Sequence, residues 1–146
     1  MNFILLLFKS LLWFLLEKEP YCELIQEPED YHYSGFIYNK YNKDYLCSSC
    51  KNGYINIWDL NNKKIFKVIN TNGGELYHII QWNEKYIIVD ERKNKCFKII
   101  DIKHGKVISN IKTLKFDMVC IKKIKHPIFG ESLISGGGRN IDLWII

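Results

Sequence analysis

A chain of 146 residues is about one ordinary domain long and can bury a core of its own. With 47% apolar and 25% charged residues its composition is globular, which excludes a chain dominated by disorder. The net charge of +5 rests on dispersed lysines, with arginine only at Arg92 and Arg139. Nucleic-acid binding asks for clustered Lys and Arg with aromatic platforms between them, so it is not favoured here; the densest basic run, Lys122-Lys123-Ile124-Lys125-His126, reads as a solvated strand face.

Taken in chain order, residues 1 to 20 predict a short apolar helix. Residues 3 to 16 are apolar all round, broken only by Lys9 and Ser10, and end at Glu17-Lys18-Glu19-Pro20. A spanning helix wants about 20 apolar residues, and a central lysine costs ~2.5–3.5 kcal/mol on insertion. The segment also lacks the basic start and small-residue cleavage site of a signal peptide. Three readings stay open: an interfacial or weak membrane anchor, a helix packed on the end of the following domain, and a spurious start to an incomplete gene. Residues 21 to 35, rich in Glu, Pro and Tyr, predict a linker.

From Phe36 onward the pattern is short strands separated by turn signals, without a window of helical periodicity. In the first unit, strands are expected at Phe36–Tyr38, Tyr45–Cys47, Tyr54–Trp58 and Lys64–Ile69, with Asn52-Gly53 as a type I′ hairpin turn and Asn72-Gly73-Gly74 closing the unit. The second predicts Tyr77–Trp82, Tyr86–Val89, Cys96–Ile100 and Lys106–Ile111. The third predicts Met118–Ile124, Ser132–Ser135, a turn at Gly136-Gly137-Gly138, and Ile141–Ile145, and lacks an outer strand. Trp58, Ile100 and Trp144 occupy the same place in the three units, at spacings of 42 and 44 residues, the period of a four-stranded propeller blade.

These segments resemble WD40 repeats. Asn52-Gly53 followed by Tyr54-Ile55-Asn56-Ile57-Trp58-Asp59 is similar to the family's repeat ending; the second unit keeps Asp101 with Ile100 in place of Trp, and the third keeps Trp144 with Ile145 in place of Asp. The stretch from His126 through Gly136, followed by Ile141-x-Leu143-Trp144, is similar to repeats of protist proteins of this family. The resemblance covers residues 36 to 146 and implies an all-β chain of about three four-stranded antiparallel blades (36–70, 76–112 and 117–146), the last incomplete: a partial propeller behind one short apolar helix. It makes the strand tryptophans core residues. The buried His–Asp–Trp network often seen in such repeats is not expected, because Glu75 follows Gly74 and Asn52, Asn94 and Asn140 replace the turn acids, so the blades are expected to rest mainly on apolar packing. Blades gain stability from neighbours, and a ring removes its end faces; the chain is therefore expected to be a fragment of a larger propeller, or to complete its ring through another chain or self-association.

No motif for a nucleophile, a metal or a cofactor appears. Cys47-Ser48-Ser49-Cys50 lies in an expected strand where positions three apart face opposite sides, and no second such pair completes a zinc site. Five cysteines without framework spacing suit reduced thiols in a cytoplasmic protein. Histidines 32, 78, 104 and 126 have no nucleophile in evident partnership, and Asp90, Glu91 and Asp142 read as turn and rim residues. The expectation is thus a non-catalytic interaction scaffold for proteins or peptides, with Tyr54, Trp82, Arg92 and Arg139 as candidate contacts. The alternatives are the regulatory portion of an enzyme such as a protein kinase or ubiquitin-ligase component, and a fragment tethered to a membrane through residues 3 to 16.

Overall fold

The computed structural model describes residues 30–113, 119–137 and 139–146. They form eleven strands: β1 (His32–Lys40), β2 (Lys43–Cys50), β3 (Tyr54–Asp59), β4 (Lys64–Asn70), β5 (Leu76–Gln81), β6 (Tyr86–Glu91), β7 (Cys96–Asp101), β8 (Lys106–Lys112), β9 (Cys120–His126), β10 (Gly130–Gly137) and β11 (Asn140–Ile145). Strands consecutive in the chain pair antiparallel into two four-stranded sheets, β1 to β4 and β5 to β8, and one three-stranded sheet, β9 to β11. The all-β expectation of three blade-like units, the last without its outer strand, is met. The expected helix over residues 1–20 lies outside the described residues, as do residues 21–29 of the expected linker. The end of that linker is strand: β1 starts at His32, because β2 runs on to Cys50 and the ladder follows it (Gly35↔Ser48, Ser34↔Ser49, His32↔Cys50).

The turns differ from expectation in two places. Asn52-Gly53 is not a type I′ turn, which needs positive φ at both residues. Gly53 alone takes it, at 84°, and its N–H closes a tight turn onto Cys50 O at 3.2 Å. Asn52 instead accepts the Tyr54 N–H through its side chain at 3.1 Å. A Cβ on Gly53 would also sit 2.5 Å from Gly73 O, so glycine is required both for its dihedral and for the approach of the β4–β5 connection. Further on, Gly136 and Gly137 belong to β10, paired with Ile141 and Asn140; the expected triple-glycine turn is shorter by two residues.

The sheets stack face to face with β5 packed against β1 and β9 packed against β5. Ile55, Ile57, Ile69, Leu76, Ile87 and Ile100 fill the joint between the first two sheets. Ile88, Phe97, Ile121 and Leu133 fill the second joint, with Trp82 and Trp144 against them. Strand β7 contributes to both, Ile100 to one side and Phe97 to the other. A strand buried on both faces loses apolar–polar alternation, as Cys96-Phe97-Lys98-Ile99-Ile100 does.

Register explains the tryptophans. Trp58 lies opposite Leu46, Ile100 opposite Ile87 and Trp144 opposite Leu133, so the three positions are structurally equivalent. The Trp58 indole N–H donates to Ser48 Oγ at 2.8 Å, and Trp144 repeats the bond to Ser135 Oγ at 2.8 Å. In the middle sheet the serine position is Val89, opposite Lys98 as Ser48 is opposite Asn56. Where the indole is lost, so is the hydroxyl, because a buried N–H needs an acceptor and an isoleucine does not. Two sheets thus add a Trp–Ser pair to the apolar packing on which the blades are mainly expected to rest. Ser48→Val should cost about 1–3 kcal/mol by orphaning the Trp58 indole. Ser48→Val combined with Trp58→Ile should cost less than the two single changes together in urea denaturation; strict additivity would deny the pairing.

Candidate functional site

An up-and-down sheet sends alternate turns to opposite ends. The β2–β3, β4–β5, β6–β7 and β10–β11 connections share one end; the β1–β2, β3–β4, β5–β6, β7–β8 and β9–β10 turns share the other. Of the four candidate contacts, Tyr54, Arg92 and Arg139 fall at the first end and Trp82 at the second. Trp82 is half-buried, joins the core between the second and third sheets, and carries Lys123 Nζ 5.2 Å from its ring centroid and 2.5 Å from its carbonyl oxygen. It is a joint residue, contrary to its expected role as an exposed loop contact. Tyr54 is half-buried with its hydroxyl 3.4 Å from Asn70 Nδ2, and Arg139 is exposed beside the turn into β11.

Arg92 is built into a layered platform. Its guanidinium lies 5.1 Å from the Tyr77 ring centroid and donates to Tyr77 Oη at 3.1 Å. Tyr33 stacks on the same Tyr77 ring, with centroids 4.5 Å apart at 9°. The three residues come from β1, β5 and the β6–β7 turn, so the platform bridges two sheets; Tyr33 and Tyr77 carried no sequence motif. Beside it a groove of about 470 Å³ is lined by Lys51, Asn52, Gly74, Glu75, Arg92 and Lys93. Glu75 accepts the Tyr77 hydroxyl at 2.9 Å, and Asp30 accepts the Asn52 N–H at 2.7 Å.

Beneath this rim sits a buried ion pair. Glu91 Oε2 is 2.9 Å from Lys98 Nζ, with both side chains almost wholly buried. Glu91 Oε1 also accepts the Gly74 N–H and the Asn94 amide, each at 2.6 Å, while Lys98 donates to Thr71 O at 2.9 Å. Burial pushes the Glu91 carboxyl up, but the Gly74 N–H and Lys98 outweigh it and hold it below its ordinary value. Gly73 makes room, since a Cβ there would meet Lys98 Nζ at 2.3 Å. Asp90 is buried too: it accepts the Tyr77 N–H at 3.1 Å and the His78 N–H, and its Oδ2 lies 2.9 Å from His78 Nδ1, which raises the imidazole's pKa. Asp90 and Glu91 are thus structural groups of strand β6, not the turn residues expected.

The two repeat aspartates cap turns at the opposite end. Asp59 accepts the Asn61 and Asn62 N–H groups, each at 3.0 Å. Asp101 accepts the His104 N–H at 2.9 Å and approaches its Nδ1 at 3.0 Å; these bonds, the ring contact first, hold its carboxyl down to about 2. A depressed carboxyl stabilises the fold above its unfolded value near 3.8 and loses that contribution as pH falls through its folded value. The amide signals of residues 102–105 should accordingly shift near pH 2 in wild type and not in Asp101→Asn; a midpoint at the ordinary aspartate value would contradict the capping.

One thiol–imidazole contact was not expected: Cys50 Sγ lies 3.3 Å from His32 Nδ1. Burial pushes the thiol up to about 11 and lowers the imidazole, so both stay neutral and no activated nucleophile results. Cys47, in the core between the first two sheets, is pushed up to about 12. Among the described residues no group of three His, Cys, Asp or Glu side chains is placed to hold a metal, and no helix is long and apolar enough to cross a membrane.

Against known proteins, no family profile matches the chain and no curated protein does. Among solved structures it is similar to the crystal structure of the computationally designed Ika4 protein, at 14% identity and a TM-score of 0.62 over 87% of this chain and 74% of that one. A likeness at that identity concerns the arrangement of the sheets.

Proposed function

We propose that the chain is a non-catalytic protein- and peptide-binding module of the WD40-repeat type, with its binding surface on the rim around Arg92. The observation that carries this reading is the Tyr33–Tyr77–Arg92 platform, which spans two sheets and borders an open groove. Aromatic and arginine side chains are the groups that dominate binding energy at protein interfaces, and here the rigid strands hold them in place. Among the described residues four cysteines are free, three of them buried, which suits a reducing, cytoplasmic setting. The test is panning of a random peptide library on the purified full chain, followed by footprinting of the enriched peptides. Protection of residues at the Arg92 end is expected; absence of any enriched peptide would end the reading.

A second reading is favoured by β11. Among the described residues its outer edge has no partner, whereas β3 and β7 carry β4 and β8 at the same position. Ile141, Leu143 and Ile145 are 80%, 45% and 60% exposed on it. An open apolar edge pairs readily with another chain, so the chain is proposed to self-associate there. Leu143→Lys should shift sedimentation toward monomer, and a wild type that is monomeric at all concentrations would remove this reading.

A further inference from the structure

We infer that the groove between Lys51, Arg92 and Lys93 takes an isolated acidic side chain of a peptide, with neutral or aromatic residues flanking it. This rests on the peptide-binding reading above and adds its ligand chemistry.

Three cationic side chains line one small groove. Their backbones are fixed: the Arg92 N–H donates to Glu75 O at 3.2 Å, the Lys95 N–H to Arg92 O at 3.3 Å, and Gly53 N–H closes the turn holding Lys51. Arg92 is set further by the Tyr77 ring and hydroxyl. Arginine offers a planar set of donors that matches a carboxylate. Gly74 keeps the groove open, because a Cβ there would press on Lys93 Cβ at 3.0 Å. Tyr33, 42% exposed and stacked on the Tyr77 ring that holds Arg92, offers an aromatic surface for a flanking residue.

The two carboxylates choose between acidic ligands. Glu75 lines the groove and Asp30 sits on Asn52 at its edge. A nucleic acid carries a charge at every phosphate and would meet both at close range, whereas a peptide with one acidic residue between neutral ones avoids them and can offer them backbone N–H groups. The volume, about 470 Å³, suits a few peptide residues.

The experiment uses fluorescein-labelled Gly-Ser peptides of about twelve residues with a central Tyr and zero, one or four Glu, and an oligothymidylate of about the same length, against the full chain. The one-Glu peptide should bind most tightly, weakening at high salt. Lys93→Glu and Arg92→Glu should each weaken it by about tenfold or more, with circular dichroism unchanged; Lys93 is exposed and its reversal leaves the Tyr77 contacts in place. Glu75→Gln should narrow the preference for one Glu over four. Equal binding of the zero-Glu peptide, indifference to Lys93→Glu in a folded protein, or tighter binding of the oligothymidylate would each overturn the inference. Neutral library peptides footprinted on the same rim would in that event leave the binding-module reading standing.

Discussion

Lys98→Met should destabilise the chain by about 3–5 kcal/mol, the cost of leaving a buried carboxylate without its counter-charge. Glu91 is fully buried, and its remaining partners, the Gly74 N–H, the Asn94 amide and the Cys96 thiol, are neutral. Removing both charges with Glu91→Gln and Lys98→Met should recover much of the loss, since the penalty lies in the uncompensated charge. Urea denaturation of the two single variants and the double variant measures this, and a Lys98→Met cost below about 1 kcal/mol would mean the pair is screened like a surface one. The acid side follows from the direction of the shift. Glu91 is held below its ordinary value near 4.5, so its contribution is complete above that value and is lost as pH falls through the lower, folded one. Wild type should therefore lose stability more steeply than Glu91→Gln on the acid side of pH 4.5. Because Glu91 also holds Gly74 and Asn94, the rim groove should loosen when the carboxylate goes.

Phe97→Ala should cost a further class of stability, about 3–5 kcal/mol, by opening a cavity in the joint between the second and third sheets. Phe97 is fully buried and meets Trp144 edge-on, with ring centroids 5.3 Å apart at 85°. That contact should appear in a double-mutant cycle with Trp144→Ala as a coupling of about 0.5–1.5 kcal/mol. Among the described strands the third sheet is held to the rest chiefly through this cluster and the β5–β9 contact. Hydrogen exchange in Phe97→Ala should accordingly quicken in β9 to β11 well before β1 to β4. Uniform loss of protection across all three sheets would show that the units do not separate at this joint.

The amino-acid sequence by itself determined the eleven strands to within a few residues, their up-and-down order, and the division into three units of which the last is shorter. Those features depend on neighbours along the chain: turn residues such as Asn72-Gly73-Gly74, β-branched runs, and a tryptophan or isoleucine returning at a fixed spacing. Only the tertiary structure decided what crosses between strands and sheets. Ser48 becomes the acceptor for Trp58 through ladder register, and Lys98 finds its acceptor at Thr71 in the β4–β5 connection, 27 residues back along the chain. Arg92 stood out in the sequence, but Tyr33 and Tyr77, which place it, lie in strands of different sheets. Trp82, an apparent loop aromatic, is drawn under Lys123 of the third sheet. Periodicity encodes strands because side chains alternate locally. It does not encode stacking, since facing sheets meet through residues that are remote in the chain and follow no repeat of their own.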